Sequence, residues 1–386
     1  MKILIAPDSF KESLTSIEVA DYLKEGFKKA DKNFEITKLP LADGGEGTVK
    51  SLVAATDGKI MKKEVTDPLG NKVEAIYGIL GDGKTGVIEM ATASGLPLVP
   101  KDKRNPLKTT TYGTGELIKA ALDQGCTKLI IGIGGSATND CGVGMAQALG
   151  GKFLDEDGKQ IGYGGQYLKD IEKIDLSQLD SRIAETEIEV ACDVDNPLYG
   201  KNGAAYIYGP QKGASKDQVK ELDQGLKHIA EIIKDDLGKE VNEIPGAGAA
   251  GGLGAGLSAF LDAKLRPGIK IVMEASKLRE KMKKVDLVVT GEGKIDGQTA
   301  SGKTPVGVSR IAKKEELPVI AVAGTIGEDA EKVYDEGIDF LYSVIDKPMT
   351  LKEAIDNADE LLIKTGYNLG KFIKKFNISY WRDYDE

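Results

Sequence analysis

Residues able to do chemistry fall into a few short runs of this 386-residue chain. In Cys192-Asp193-Val194-Asp195-Asn196-Pro197, two carboxylates stand at i and i+2. In extended chain they share a face, which suits a metal ion or a base that activates a hydroxyl. An Asx turn ahead of Pro197 explains Asp195 and Asn196 as well. Ala42-Asp43-Gly44-Gly45-Glu46-Gly47-Thr48 sets two acids among three glycines, so a polyol or a hydrated Mg2+ can approach Asp43 and Glu46 without steric cost. The plainer reading is a glycine turn with helix-capping acids. Asp8-Ser9-Phe10-Lys11 joins a carboxylate, a hydroxyl and a cation, a set fitted to binding a small substrate.

Two glycine-rich runs point to anions. Gly132-Ile133-Gly134-Gly135-Ser136-Ala137-Thr138-Asn139-Asp140 follows a buried-strand pattern and opens a helical one. Backbone amides around Gly134, Gly135, Ser136, Thr138 and Asn139, with a helix dipole behind them, predict an anion-binding turn. A purely structural tight turn and a dinucleotide-binding G-x-G-x-x-A turn are the alternatives. The latter wants an acid ending a strand about 20 residues on, where Asp155 to Gly158 reads as a turn. Gly297-Gln298-Thr299-Ala300-Ser301-Gly302-Lys303-Thr304 satisfies the P-loop formula, but Lys294-Ile295-Asp296 separates it from its strand and Pro305 sits where a helix begins. The match is read as accidental; Lys303 is either a phosphate contact at a helix start or a solvated lysine.

Composition narrows the mechanisms. The single histidine, His228, removes Ser-His-Asp, Cys-His and multi-histidine metal chemistry, which leaves a carboxylate or a lysine as any general base. His228 lies largely off the apolar stripe of its helix and reads as a solvated bystander. A net charge of −9 gives no footing for nucleic acid or an anionic membrane surface. Cys126, Cys141 and Cys192 lack CxxC spacing, so neither a disulfide framework nor a zinc ribbon is expected and a reducing cytoplasm fits. Met1 leads straight into Ile3-Leu4-Ile5, a strand rather than a signal peptide. Ile244 to Leu261 is uncharged over about 18 residues, the lower length for a membrane span, but its glycines make it too weakly hydrophobic.

The elements that must position these runs read as α/β. Residues 2–6 form a first strand, Thr15 and Glu18 a capping box before a helix with Ala20, Leu23 and Phe27 on one face, and Glu35 to Leu39 with about 47–55 a second βα unit. Three short strands, 60–65, 73–80 and 85–90, make an antiparallel meander. Strands follow at 129–133 and 188–192, then a helix from about Lys216 to Lys234 behind a Ser215/Gln218 box. βα alternation resumes with strands at 287–290, 319–323 and 340–345. The partition is a discontinuous parallel-sheet domain, 1–58 plus 284–386, interrupted by a mixed-sheet domain, 59–283, with a cleft between them as the expected site. The tail 371–386, with Trp381, reads as a surface helix end.

These segments, taken in order with CDVDNPL at 192–198, GPQKGA at 209–214, PGAGAAGGLGAG at 245–256 and TGEGKIDGQTASGKTP at 290–305, make the chain resemble the bacterial glycerate kinases of type I. The resemblance implies a flavodoxin-like domain interrupted by one likened to restriction endonucleases. It also implies ATP-dependent phosphorylation of D-glycerate to 2-phosphoglycerate, or to 3-phosphoglycerate. Glu12 and Cys141 stand where small residues are frequent in that family. Phosphoryl transfer needs positioning, charge neutralisation and a carboxylate near the attacking hydroxyl. Under the resemblance Ser9 and Lys11 hold the glycerate carboxylate, with Asp8, Asp43 and Glu46 around the substrate. Asp193 orients the hydroxyl, with Asp296 the substitute catalytic acid; Asp43 or Asp195 carries Mg2+, and the 134–139 turn with Lys303 holds ATP phosphates. A homodimer is compatible with it. The rival functions are a dinucleotide-dependent oxidoreductase using the GIGGSA turn and a non-catalytic glycerate-binding relative.

Overall fold

The structure, a computed structural model, describes residues 1–376; residues 377–386, with Trp381 of the expected helix end, lie outside the described residues. The chain divides into two compact units. The first comprises residues 1–43, 54–56 and the chain from Val272 onward. Its strands are β1 (Lys2–Pro7), β2 (Glu35–Lys38), β3 (Leu287–Ile295), β4 (Val319–Ile326) and β5 (Phe340–Ser343), all parallel, in the order β5-β4-β3-β1-β2. Ile3, Leu4 and Ile5 of β1 and Leu287, Val288 and Val289 of β3 are buried. Unbroken apolar runs of this kind belong to central parallel strands covered by helices on both faces.

One face is covered by the helices Ser16–Ala30 and Ala358–Phe376. The first starts at the expected capping box, in which the Thr15 side chain and Glu18 satisfy each other's amides. The two helices cross where Gly26 meets Gly366: a Cβ on Gly26 would run into the Ile363 carbonyl oxygen, and one on Gly366 into that of Leu23.

The second unit, residues 44–53 and 57–271, has a six-stranded mixed sheet. From edge to edge its strands are Lys264–Arg266, Glu187–Ala191, Lys128–Gly132, Thr85–Glu89, Lys72–Ile79 and Lys59–Thr66. The first four are mutually parallel and the last three form the antiparallel meander. The long helix Lys216–Leu237 begins at the Ser215/Gln218 box and buries Val219, Leu222, Leu226, Ile229 and Ile233. His228 on it is half-buried, with Nε2 bonded to the Ile171 carbonyl at 2.7 Å, so it is a packing strut rather than a solvated side chain.

The boundaries differ from the expected 58 and 284. The helix Thr48–Thr56 packs by its first two turns on the second sheet: Val49 N donates to the buried Glu89 carboxylate at 2.7 Å, and Val49 and Val53 lie over Gly78. Residues 272–283 carry helical chain that belongs with the first unit. The uncharged stretch 244–261 becomes a turn and a helix, Ala249–Leu261, broken by positive φ at Ala250, Gly251 and Gly252. Among the described residues no helix is long and apolar enough to cross a membrane.

Glycine to alanine in a helix ordinarily stabilises by roughly 0.5–1 kcal/mol. At Gly26 the sign should reverse: Gly26→Ala is expected to lose about 1–3 kcal/mol of unfolding free energy in urea, because the helices must separate to admit the methyl group.

Candidate active site

In the first unit the chain runs outward from β1 to β2 on one side and from β3 through β4 to β5 on the other, so the β1/β3 pair is the switch point of the sheet. Open parallel sheets bind ligands outside the carboxyl ends of their strands at that point. The pair is in register to its tip, Pro7 opposite Gly291, and Asp8 N donates to Gly291 O at 2.8 Å. Asp8, Ser9 and Lys11 therefore leave β1 beside Glu292 of β3. Asp296 follows β3, and Lys303 and Thr304 begin the helix Thr304–Lys314.

The acids here differ in how they are satisfied. Asp8 Oδ1 accepts from Ser9 N at 2.6 Å and Oδ2 from Thr304 Oγ1 at 2.5 Å. Burial raises its pKa, opposed by the Thr304 hydrogen bond, and the charge of Asp43 adds to the rise. Asp296 Oδ2 pairs with Lys294 Nζ at 2.9 Å and Oδ1 accepts from Gln298 N at 3.0 Å, so its carboxyl is held below the usual range. Glu292 Oε1 accepts from Thr299 Oγ1 at 2.5 Å. Burial, reinforced by the charges of Asp8 and Asp296, carries Glu292 up to about 7 against the pull of Thr299 and Lys303. Lys11 is exposed on a tight turn closed by Phe10 and Leu14, whose apex, Glu12, has φ +64°, a left-handed backbone that glycine adopts more readily than glutamate.

The P-loop formula at 297–304 does not make a phosphate cradle. The amides of Gly297, Gln298, Thr299, Ser301, Gly302 and Lys303 all donate to acceptors of the chain itself, Glu328 O, Asp296, Gln298 O and Thr299 O. Lys303 is exposed at the cap of the helix.

In the second unit Glu89, Gly132 and Ala191 end three parallel strands in register, so the loops after them leave one edge. Gly134 and Gly135 are exposed, with φ +75° at Gly135, and the amides of Gly134, Gly135 and Ser136 have no hydrogen-bond partner among the described residues. The side chains of Ser136, Thr138 and Asn139 are buried. The expected helix dipole is also missing from the turn, since the next helix starts only at Val143 and ends at Ala148. What lies beneath the turn is Lys212, 2% exposed, whose Nζ donates to Ser136 Oγ and to Thr138 O, both at 2.7 Å. Burial pushes its ammonium down to about 7, with the neighbouring Asp140 opposing. Burial pushes the Asp140 carboxyl up, while Thr111 N, Thr111 Oγ1, Gly142 N and Gly144 N hydrogen-bond to it. Thr138 Oγ1 and both polar atoms of the Asn139 amide are buried without a partner among the described residues.

The remaining expected residues are scattered. The strand Glu187–Ala191 ends before Asp193 and Asp195, so the shared-face argument for them does not apply. Both are exposed, and Asp193 Oδ1 accepts from Gly268 N at 2.9 Å. Glu46 is exposed and caps nothing; the carboxylate at the start of the helix Thr48–Thr56 is Glu89. Asp43 belongs to the first unit and Asp195 to the second. Among the described residues no three His, Cys, Asp or Glu side chains group to hold a metal.

Sequence reasoning missed Lys212, Asp140, Glu292 and Thr304, although all sit inside or beside the motifs it used. The usable signal was a charged residue wedged among glycines, as in Gly209-Pro210-Gln211-Lys212-Gly213 and Gly291-Glu292-Gly293, where little side chain is available to keep the charge in water.

Lys212 makes native stability depend on pH. Its ammonium titrates near 7 in the fold against an ordinary 10.5, so between these values the unfolded chain binds a proton that the native chain does not, and stability rises with pH. Relative to Lys212→Met, the wild type should gain roughly 1 kcal/mol per pH unit from pH 7 to 9 in urea unfolding. A gap that is flat with pH would show that the buried ammonium stays charged.

The profile of the glycerate kinase family matches residues 3–374. Glycerate kinase of Halalkalibacterium halodurans is 54% identical over 95% of this chain and 97% of its own length. Glycerate 2-kinase of Escherichia coli is 53% identical over 96% of this chain and 97% of its own. A crystal structure assigned to glycerate kinase 2 of Salmonella typhimurium superposes with a TM-score of 0.90 at 50% identity, covering 98% of this chain and 99% of that one. With sequence and fold matched over nearly their full length, the chain belongs to the glycerate kinase family of enzymes.

Proposed function

We propose that this chain transfers the γ-phosphoryl group of ATP to the 2-hydroxyl of D-glycerate, giving 2-phosphoglycerate and ADP. The observation that carries the nucleotide part is the turn at Gly134–Ser136, whose consecutive amides have no partner among the described residues and make a nest for phosphate oxygens, with Lys212 Nζ beneath them. Thr138 and Asn139 shape that turn from within. Lys303, exposed at its helix start, meets phosphate as a cation. Ser9 and Lys11 hold the glycerate carboxylate near Asp8, and Asp193, steadied by the Gly268 amide, orients the acceptor hydroxyl. The choice of the 2-hydroxyl follows the Escherichia coli relative, which is a glycerate 2-kinase.

Mg2+ keeps several waters and asks for only one or two protein carboxylates beside the phosphates. Half-buried Asp43 and exposed Asp195 each meet that demand singly. When bound, the ion neutralises phosphate charge during transfer. The reaction is that of a cytoplasmic metabolic enzyme, with no role for nucleic acid.

Phosphorus NMR of the protein with MgATP and D-glycerate tests the reading. Stoichiometric ADP and 2-phosphoglycerate are expected; 3-phosphoglycerate would move the transfer to the other hydroxyl, and no phosphorylated glycerate would overturn the proposal. Lys11→Met should raise KM for glycerate by roughly 10- to 100-fold with KM for ATP nearly unchanged, the loss of one charge-assisted contact. The reverse pattern would assign Lys11 to the phosphates.

A further inference from the structure

We infer that Glu292 is a catalytic residue of this reaction, the general base that takes the proton of the glycerate hydroxyl; the inference rests on the ATP-dependent reading above. In the step, the hydroxyl oxygen bonds to the γ-phosphorus. The bond from that phosphorus to the bridging oxygen breaks, and its electron pair leaves with ADP. The hydroxyl proton passes to Glu292 Oε2.

Position comes first. Glu292 lies in the central strand at the β1/β3 switch point, beside Asp8 at the end of β1 and within reach of the charge of Lys303. Its two glycine neighbours let backbone crowd around it. A Cβ at Gly293 would stand 3.2 Å from Phe10 Cα and 3.3 Å from Lys11 N, and one at Gly291 would strike the Val322 carbonyl. The Asp8–Lys11 loop can therefore lie directly on the strand that carries Glu292.

Valence comes second. The oxygens of Asp8, Asp296 and Glu292 are filled differently at this edge. Asp8 has both oxygens bonded, to Ser9 N and Thr304 Oγ1, and so has Asp296, to Gln298 N and Lys294 Nζ. Glu292 is hydrogen-bonded at Oε1 alone among the described residues, so Oε2 is the carboxylate oxygen left to receive a proton. The Thr299 bond fixes the group's orientation while leaving that oxygen open.

Proton affinity agrees. Burial and the facing acids Asp8 and Asp296 hold Glu292 near 7, with Thr299 and Lys303 opposing, so at neutral pH it is part ionised and basic enough to take a hydroxyl proton in the transition state. Asp296, held low by Lys294, is ionised but a weak base.

Steady-state kinetics of the full chain across pH test this. The wild type should show kcat/KM rising with pH through about 7. Glu292→Gln should lower kcat by roughly 10²- to 10⁴-fold, keep KM for glycerate within a few-fold and abolish that limb. Glu292→Asp should restore part of kcat together with the limb. Thr299→Val removes the bond that lowers the pKa of Glu292, so its limb should move to higher pH. This variant decides the question if Glu292→Gln does not fold by circular dichroism. A folded Glu292→Gln with wild-type kcat, or a limb unmoved in Thr299→Val, overturns the inference. A wild type that releases no ADP with glycerate instead overturns the ATP-dependent reading and the base with it.

Discussion

The parallel pairing of β1 with β3 is the constraint on which the first unit depends. It joins segments at opposite ends of the chain: Thr290 Oγ1 donates to Ala6 O at 2.8 Å across 284 residues of sequence. The entropy of closing so long a connection grows only slowly with length, and the intervening residues build a hydrophobic core of their own. Register is what the pairing must protect. Side chains alternate faces along a strand, so a slip of one residue would turn Asp8 and Glu292 away from their partners. The slip is opposed by Ile3, Ile5, Leu287 and Val289, all packed in one core with the helices Ser16–Ala30 and Ala358–Phe376.

Each sheet places ionisable groups out of water at the edge where its parallel strands end, and the degree of satisfaction sorts them. Asp140 has four hydrogen-bond donors on its carboxylate and serves as an anchor for Thr111 and for the start of the helix Val143–Ala148. Lys212 has two acceptors for three protons, so burial weakens its charge. Glu292 has one donor and sits near 7. Complete satisfaction marks structure, and partial satisfaction in a position a substrate can reach marks chemistry. Lys212 meets only the first half of that test, because it is sealed beneath Ser136; it shapes the turn, and it is Glu292 that can touch a reacting hydroxyl.

Local signals in the sequence were enough for much of the fold. The Ile3-Leu4-Ile5 run, the boxes at Thr15/Glu18 and Ser215/Gln218 and the meander all act within a few residues of themselves, and each forms as its residue types require. Less was legible where a distant segment decides. The acids of the Asp43–Glu46 run were natural candidates to cap the helix Thr48–Thr56, yet the cap is Glu89, brought by the neighbouring strand. The glycine turn at 132–140 looked like a helix start, but Asp140 draws in the amides of Gly142 and Gly144 and delays the helix to Val143. The glycines flanking Lys212 single it out in the sequence, but its enclosure follows from where Ser136 and Thr138 come to lie.

A chain with one histidine can still manage proton transfer at neutral pH, provided that a carboxylate is moved up the scale. Solvent exposure would leave a glutamate too weak a base to take a hydroxyl proton, and full burial would neutralise it. The edge of a parallel sheet gives an intermediate setting, since the strand backbone shields one side and the ligand-binding side stays open. Glycines on both sides of Glu292 make that shielding close, because the Phe10–Lys11 backbone and the Val322 carbonyl approach where side chains would otherwise hold water. Thr299 then limits the rise by donating to Oε1, and Lys303 limits it further through its charge. The pKa is thus set by burial and the charges of Asp8 and Asp296, which raise it, and by two adjustable contacts, Thr299 and Lys303, which lower it, and this ties the chemistry of the site directly to the pairing of β1 with β3.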